Sequence, residues 1–227
     1  GAEPRVYKIP TTPADPSIGL IAGLEEIAVS MGMRITELAR SIETIVHGTT
    51  VTTNAVLTGT GAKTGLLTTQ GVRDALEMRR GVREEQYNNR YTNVAPLAPR
   101  YLRIPIRGRL NYRGDELTPL NLDDVRSAVR LFKEERVEAA AICFMNSFAN
   151  AEHEEAAAKI VREELPGAFL TVSSDFLPSI RFYDRLSTTV LNSYVGPKFS
   201  SYVDQLLARL REIKFGGVLL IMQSNGG

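Results

Sequence analysis

The chain has 227 residues, 43% of them hydrophobic and 23% charged, and a formal net charge of +1. That composition is ordinary for a soluble globular protein, and the near-neutral charge excludes a general electrostatic pull toward nucleic acid or a membrane surface. The single cysteine, Cys143, excludes an internal disulfide framework and points to a reducing, cytoplasmic setting.

The chain opens on VYKIPTTP, an extended segment. The stretch ADPSIGLIAGLEEIAVSMG then predicts a helix, with Asp15 as its cap, Pro16 in its first turn, Gly32 near its stop, and Ile18, Ile21, Leu24 and Ala28 on one face. ITELARSI reads as a shorter helix and TIVHG as a strand. TVTTNAVLTGTG reads as a further helix, because strand alternation breaks at Ala55-Val56-Leu57. KTGLLTT is expected as a buried strand and VRDALEMRR as a helix. From Gly81 to Leu120 prolines, arginines and tyrosines replace helical periodicity, and LRIPIRGRLNYRGDELTPLN alternates like a hairpin with Arg113-Gly114-Asp115 at its turn.

Beyond the hairpin, LDDVRSAVRLFKEERV predicts an amphipathic helix and EAAAICFM a strand, with Cys143 expected in the core. AEHEEAAAKIVREELPG predicts an exposed-looking helix carrying His153, and AFLTVSSD a strand. YDRLSTTVLNSYVGPKFSSYVDQLLARLREI predicts one or two helices around Gly196-Pro197, and GVLLIMQSNGG the last strand. Helices alternating with short apolar strands predict an α/β protein with a mostly parallel sheet, and the alternation restarts near 187–197. No run approaches the roughly 20 apolar residues of a membrane span, and no signal peptide is visible. The absent initiator Met and the close on a strand and Gly-rich turn lead to the expectation of a piece of a longer polypeptide.

Four stretches offer chemistry. In IVHGTTVTTNAVL, residues 45–57, a strand ends at His47, Gly48 lets backbone approach a ligand, and Thr49 and Thr50 sit at a helix start with Asn54 one turn on. This is either a polar ligand site at a strand exit or a helix cap beside a structural histidine, and the residues alone leave both open. In MQSNGG, Gln223, Ser224 and Asn225 precede Gly226 and Gly227, and the alternatives are a ligand loop and a polar turn. In YDRLSTTVLNSYV, Asp184 and Arg185 are expected to cap and decorate a helix start. In RRGVREEQYNNRY, Glu84 and Glu85 are expected as a solvated charge cluster, with Arg80 and Arg83 available to an anionic substrate or a partner surface. There is no GxxxxGK[ST] loop, no GxGxxG fingerprint, no GxSxG elbow, and the two histidines are far apart in sequence.

HGTTVTTNAVLTGTGAKTGLLTTQGVRDALEMRR resembles the N-terminal domain of the hydantoinase A/oxoprolinase family, whose members show His-Gly-Thr-Thr-x-x-Thr-Asn-Ala followed by Gly-Ala-Lys-Thr-Gly-Leu-x-Thr-Thr-x-Gly. STTVLNSYVGP resembles the junction to the family's larger domain, and LLIMQSNGG a strand and loop of that domain. The resemblance implies an α/β, ribonuclease-H-like, actin-like ATPase fold, incomplete over this stretch, with the N-terminal domain at 1–186 and the start of the main domain at 187–227. It implies an ATP-dependent amidohydrolase acting on a cyclic amide such as a hydantoin or 5-oxoproline. Related ketone carboxylase subunits give the alternative, and a subunit-docking module is the non-enzyme reading. ATP and Mg²⁺ are the implied cofactors of the full-length protein, and a second, hydantoinase B-like large subunit the implied partner in a hetero-oligomer.

The family's Asp-x-Gly-Gly-Thr phosphate motif is not in this sequence, so tight nucleotide binding by these residues alone is not expected. On this resemblance His47, Thr49 and Thr50 are expected to be catalytic, and Asn54, Arg80, Arg83, Ser224 and Asn225 to contact substrate. Gly48, Gly226 and Gly227 are expected to lie against the cofactor, and no metal ligand is assigned.

Overall fold

In the computed structural model, which describes residues 4–10, 12, 15–81 and 84–223, the Asp15–Pro16 pair starts the first helix as its chemistry predicts. Asp15 accepts from the Ser17 backbone N–H at 3.0 Å, and Pro16 occupies the first turn, where no backbone donor is needed. The elements in chain order are α1 (Pro16–Ser30), α2 (Ile35–Ser41), β1 (Thr44–His47), α3 (Val51–Leu57), β2 (Thr64–Thr69) and α4 (Ala75–Met78). A 3-10 turn, Arg100–Leu102, leads into β3 (Arg103–Ile106), β4 (Arg109–Leu110) and β5 (Glu116–Thr118). Then come α5 (Leu122–Glu134), β6 (Ala139–Cys143), α6 (Glu152–Glu164), β7 (Phe169–Val172), α7 (Ser173–Phe176), α8 (Phe182–Glu212) and β8 (Val218–Ile221). Among the described residues no helix is long and apolar enough to cross a membrane.

The chain forms two compact units, Gly1–Thr58 with Lys198–Gly227, and Gly59–Pro197. In the first, β1 and β8 pair in parallel, Thr44 opposite Val218 through His47 opposite Ile221. One face of the pair, with Ile45 and Leu219, packs on Tyr202, Leu206 and Leu210 from α8, alongside Ala39 of α2. From α1, Ile21 and Leu24 join this core, while Ile18 stays 41% exposed. Gly217 lets β8 enter beside β1: a Cβ there would stand 2.3 Å from the Glu43 carbonyl oxygen.

The second unit holds a four-stranded, all-parallel sheet in the order β3-β2-β6-β7. Parallel strands covered on both faces read as unbroken runs of apolar and small residues, and every residue of β2 and of β6 is buried. Leu67, Ala140 and Ile142 face the helical layer of α5 and α6, where Val125, Val129, Phe132, Ala157 and Val161 pack. Leu66, Ala141 and Cys143 face Leu186 and Val190 of α8. Cys143 is fully buried, as expected, and burial pushes its thiol up to about 11, so it is inert packing.

Gly65 sits where a Cβ would lie 2.4 Å from the Phe132 ring. Gly65→Ala is therefore expected to cost about 1–3 kcal/mol through overpacking, measured as a lower urea midpoint at unchanged slope. An unchanged midpoint would mean that Phe132 moves aside without cost.

Several expectations change. VRDALEMRR forms only one helical turn, because Arg79 takes a positive φ of 56°. The hairpin reading holds only for β4 and β5, which pair antiparallel around Gly114 at φ 90°. The preceding Arg103–Ile106 is instead a strand of the parallel sheet, beside β2. His153 is buried, not exposed: Glu116 of β5 reaches its Nε2 at 2.7 Å. The last helical stretch, expected as one or two helices, keeps to that expectation as one helix of 31 residues with Pro197 inside it.

Arg185 is no decoration. It is 1% exposed, donates to the carbonyls of Ser179 at 2.8 Å and Phe144 at 2.5 Å, and lies against the rings of Phe148 and Phe182. Beside it, buried Glu154 accepts four hydrogen bonds of 2.7 Å, from the backbone N–H groups of Phe144 and Ser174 and the hydroxyls of Ser147 and Ser173. These bonds tie the start of α6 to the loop after β6 and the turn after β7.

Candidate functional site

Side chains alternate along a strand, so His47 shares its face with Ile45 and not with Val46. Ile45 packs on the α8 core, and the next residue on that face therefore meets α8 as well. The His47 Nε2 lies 2.5 Å from the Tyr202 phenol oxygen, with the ring centres 5.9 Å apart. His47 is half-buried, and burial holds its pKa below the ordinary 6.5, which leaves the ring neutral near pH 7. Burial raises the pKa of Tyr202, and hydrogen bonding with the Thr49 side chain opposes that rise. Thr49 Oγ1 in turn accepts from the Val51 backbone N–H at 3.3 Å.

The parallel pairing brings two strand exits to one rim. Met222 N–H donates to the His47 carbonyl at 2.9 Å, so the chain leaves β8 directly beside Gly48. Ligands of parallel sheets bind beyond such carboxyl ends. An open cleft of about 1040 Å³ lies there, lined by His47, Gly48, Thr49, Thr50, Tyr202 and Gln223. Ile9, Leu24, Ile27 and Met222 supply its apolar wall, and among the described residues Arg5 is the one cation lining it.

The structure thus brings His47, Gly48, Thr49 and Thr50 together with Gln223. Asn54 lines a neighbouring cavity of about 250 Å³ with Lys198, Ser201 and Gln205 instead, and its Nδ2 donates to Thr50 Oγ1 at 3.3 Å. Arg80 belongs to the other unit, where it is ion-paired with Asp184 at the surface. Arg83, Ser224, Asn225, Gly226 and Gly227 lie outside the described residues. Glu84 is exposed and held by Arg79, whose hydrogen bond keeps its carboxyl at about 2, in line with a solvated charge cluster.

Tyr202 was not among the residues singled out from the sequence. Its spacing with Leu206 and Leu210 marks it as a core position, and only its phenol distinguishes it from one. No local motif links it to His47, since the contact spans 155 residues.

Comparison with known proteins follows the same lines. Residues 1–165 match the family model described as the hydantoinase/oxoprolinase N-terminal region. The alpha subunit of caprolactamase from Pseudomonas jessenii is 37% identical over 98% of this chain and 32% of its own length. The gamma subunit of acetophenone carboxylase from Aromatoleum aromaticum is 30% identical over 99% of this chain and 32% of its own. The crystal structure of the ATP-dependent caprolactamase superposes with a TM-score of 0.92 over 98% of this chain and 33% of that one. The nucleotide-free structure of acetone carboxylase, 26% identical, superposes with a TM-score of 0.85 over 96% of this chain and 32% of that one. The chain spans about a third of the length of the curated relatives it matches.

Proposed function

The chain belongs to the hydantoinase/oxoprolinase family, and from that membership we propose that it is part of an ATP-dependent enzyme that opens a cyclic amide by hydrolysis. The observation that carries the reading is the shared rim of β1 and β8, where a neutral histidine and two threonines line one open cleft. In this reading the cleft receives the ring carbonyl, with Thr49 and Thr50 as hydroxyl donors and His47 orienting the carbonyl oxygen or moving a proton. The actin-like ATPase fold is part of the same proposal, supported by parallel sheets joined through helices.

In the whole protein, bound ATP would supply a phosphoryl group able to make an amide carbonyl electrophilic. The described residues fit a neutral oxygen better than a triphosphate, since Arg5 is the one cation lining the cleft. Among the described residues no group of three or more His, Cys, Asp or Glu side chains converges. We therefore assign ATP and Mg²⁺ to the whole protein and not to these residues alone. The relatives are named as subunits, which supports a partner subunit for this chain as well.

The hydrolase reading is favoured over the carboxylase one by the greater likeness to caprolactamase, a TM-score of 0.92 against 0.85 for acetone carboxylase. The carboxylase reading stands second, on the acetophenone and acetone carboxylase matches. ATP hydrolysis by the intact protein with its partner, stimulated by a lactam, a hydantoin or 5-oxoproline without bicarbonate, is the expected result. Stimulation by a ketone only with bicarbonate selects the carboxylase. No stimulation by either class overturns both enzymatic readings in favour of a docking module.

A further inference from the structure

We propose that the exits of β2 and β3 form a second ligand site, which takes a small carboxylate anion. It lies wholly within the unit Gly59–Pro197 and uses none of the residues of the His47 rim. The two chains part where they leave the sheet. From β2 the chain turns at Gly71, φ 93°, toward the face where Leu76 packs with Leu186. From β3 it runs through β4 and β5 to α5, on the opposite face. Connections that diverge from neighbouring parallel strands leave a crevice at the carboxyl ends, and ligands of such sheets bind there. Here the crevice is a cavity of about 470 Å³, lined by Thr69, Gln70, Gly71, Arg107, Arg109 and Thr118.

Its chemistry is one-sided. Among the described residues lining it none is acidic, while two are arginines and two are threonines. Thr69 is 4% exposed. A backbone N–H only donates, so the Thr69 hydroxyl oxygen accepts from Met145 at 2.9 Å. Its own proton meets no acceptor among the described residues, and a buried hydroxyl that does not donate leaves a hydrogen bond unmade. Arg109 is exposed, and its guanidinium makes no hydrogen bond or ion pair among the described residues. Arg107 is held differently: it donates to Asp124 through Nε at 2.8 Å and Nη2 at 2.7 Å, and that carboxylate offsets its charge. One positive charge is left over. A monoanion balances it, whereas a phosphate dianion does not. A planar guanidinium offers a carboxylate two parallel N–H groups, and the Thr69 hydroxyl is a further donor in the same cavity.

The intact protein is treated with phenylglyoxal, an arginine-selective reagent, at constant ionic strength, and each arginine is followed by peptide mass spectrometry. We expect acetate to slow the modification of Arg109 saturably and acetamide to leave it unchanged. Arg90, exposed in another loop, is slowed by neither. Inorganic phosphate protects Arg109 no more tightly than acetate does. Thr69→Val raises the half-protecting acetate concentration about tenfold or more, the worth of a hydrogen bond to a charged group, and Thr69→Ser, which keeps the hydroxyl, restores it.

Equal slowing of Arg90 shows ionic screening only and overturns the proposal. So does an Arg109 that acetate does not protect, one that fails to react at all, one that phosphate protects more tightly, or a Thr69→Val protein protected as well as the wild type. Where Thr69→Val does not fold, the wild-type contrast between Arg109 and Arg90 still decides. The function proposed above stands or falls on stimulated ATP hydrolysis, which none of these outcomes touches.

Discussion

His47→Ala is expected to lower the turnover of the intact enzyme by about 10²–10⁴-fold, the range of a positioned proton donor or acceptor, while costing only about 1 kcal/mol of stability. The asymmetry follows from where the ring sits. His47 is half-buried at a strand exit, with one ring contact to Tyr202 and the other edge toward an open cleft. Removing it leaves the Ile45, Leu206 and Leu210 packing intact and exposes the Tyr202 hydroxyl to water that enters the cleft. Substrate-stimulated ATP hydrolysis and urea unfolding, measured on the same preparation, separate the two effects. Unchanged turnover would take His47 out of the chemistry, and a large loss of stability would make it a structural residue.

Glu154→Ala is expected to be the most damaging single change to stability, on the order of 4 kcal/mol. The carboxylate is fully buried and satisfies two backbone N–H groups and two hydroxyls at once. Alanine strands all of them in a site that water does not reach. Thermal unfolding should shift down by roughly 10 °C. Glu154→Gln keeps the shape but replaces one acceptor oxygen with an N–H₂ donor, so it should recover less than half of the loss. A shift of only one or two degrees in the alanine variant would mean that the loop after β6 rearranges to pair its own N–H groups.

The sequence made the local parts of this structure legible. Asp15-Pro16 starts a helix through a side chain and a backbone that are neighbours in the chain. KTGLLTT and EAAAICFM are buried strands because their apolar content is continuous. The failures are long-range. Arg103–Ile106 alternates as a hairpin arm would, yet its partner is β2, more than thirty residues earlier, and no local signal decides between them. His153 looks solvated on its helix until Glu116 is laid over it. The His-Gly-Thr-Thr corner was visible as a strand exit, but Tyr202, which its histidine contacts, lies on a helix whose pattern says core.

Thr44 through His47 find their strand partners only at Val218 through Ile221, after every residue of the unit Gly59–Pro197 has been placed in the chain. Contacts this distant close slowly, and during synthesis a continuous stretch is complete before a split one. The four-stranded sheet can form as the chain emerges, whereas the rim at His47 waits for β8. The rim at His47 is thus completed after the four-stranded sheet, and β1 waits for its β8 partner while the whole of residues 59–217 is synthesised.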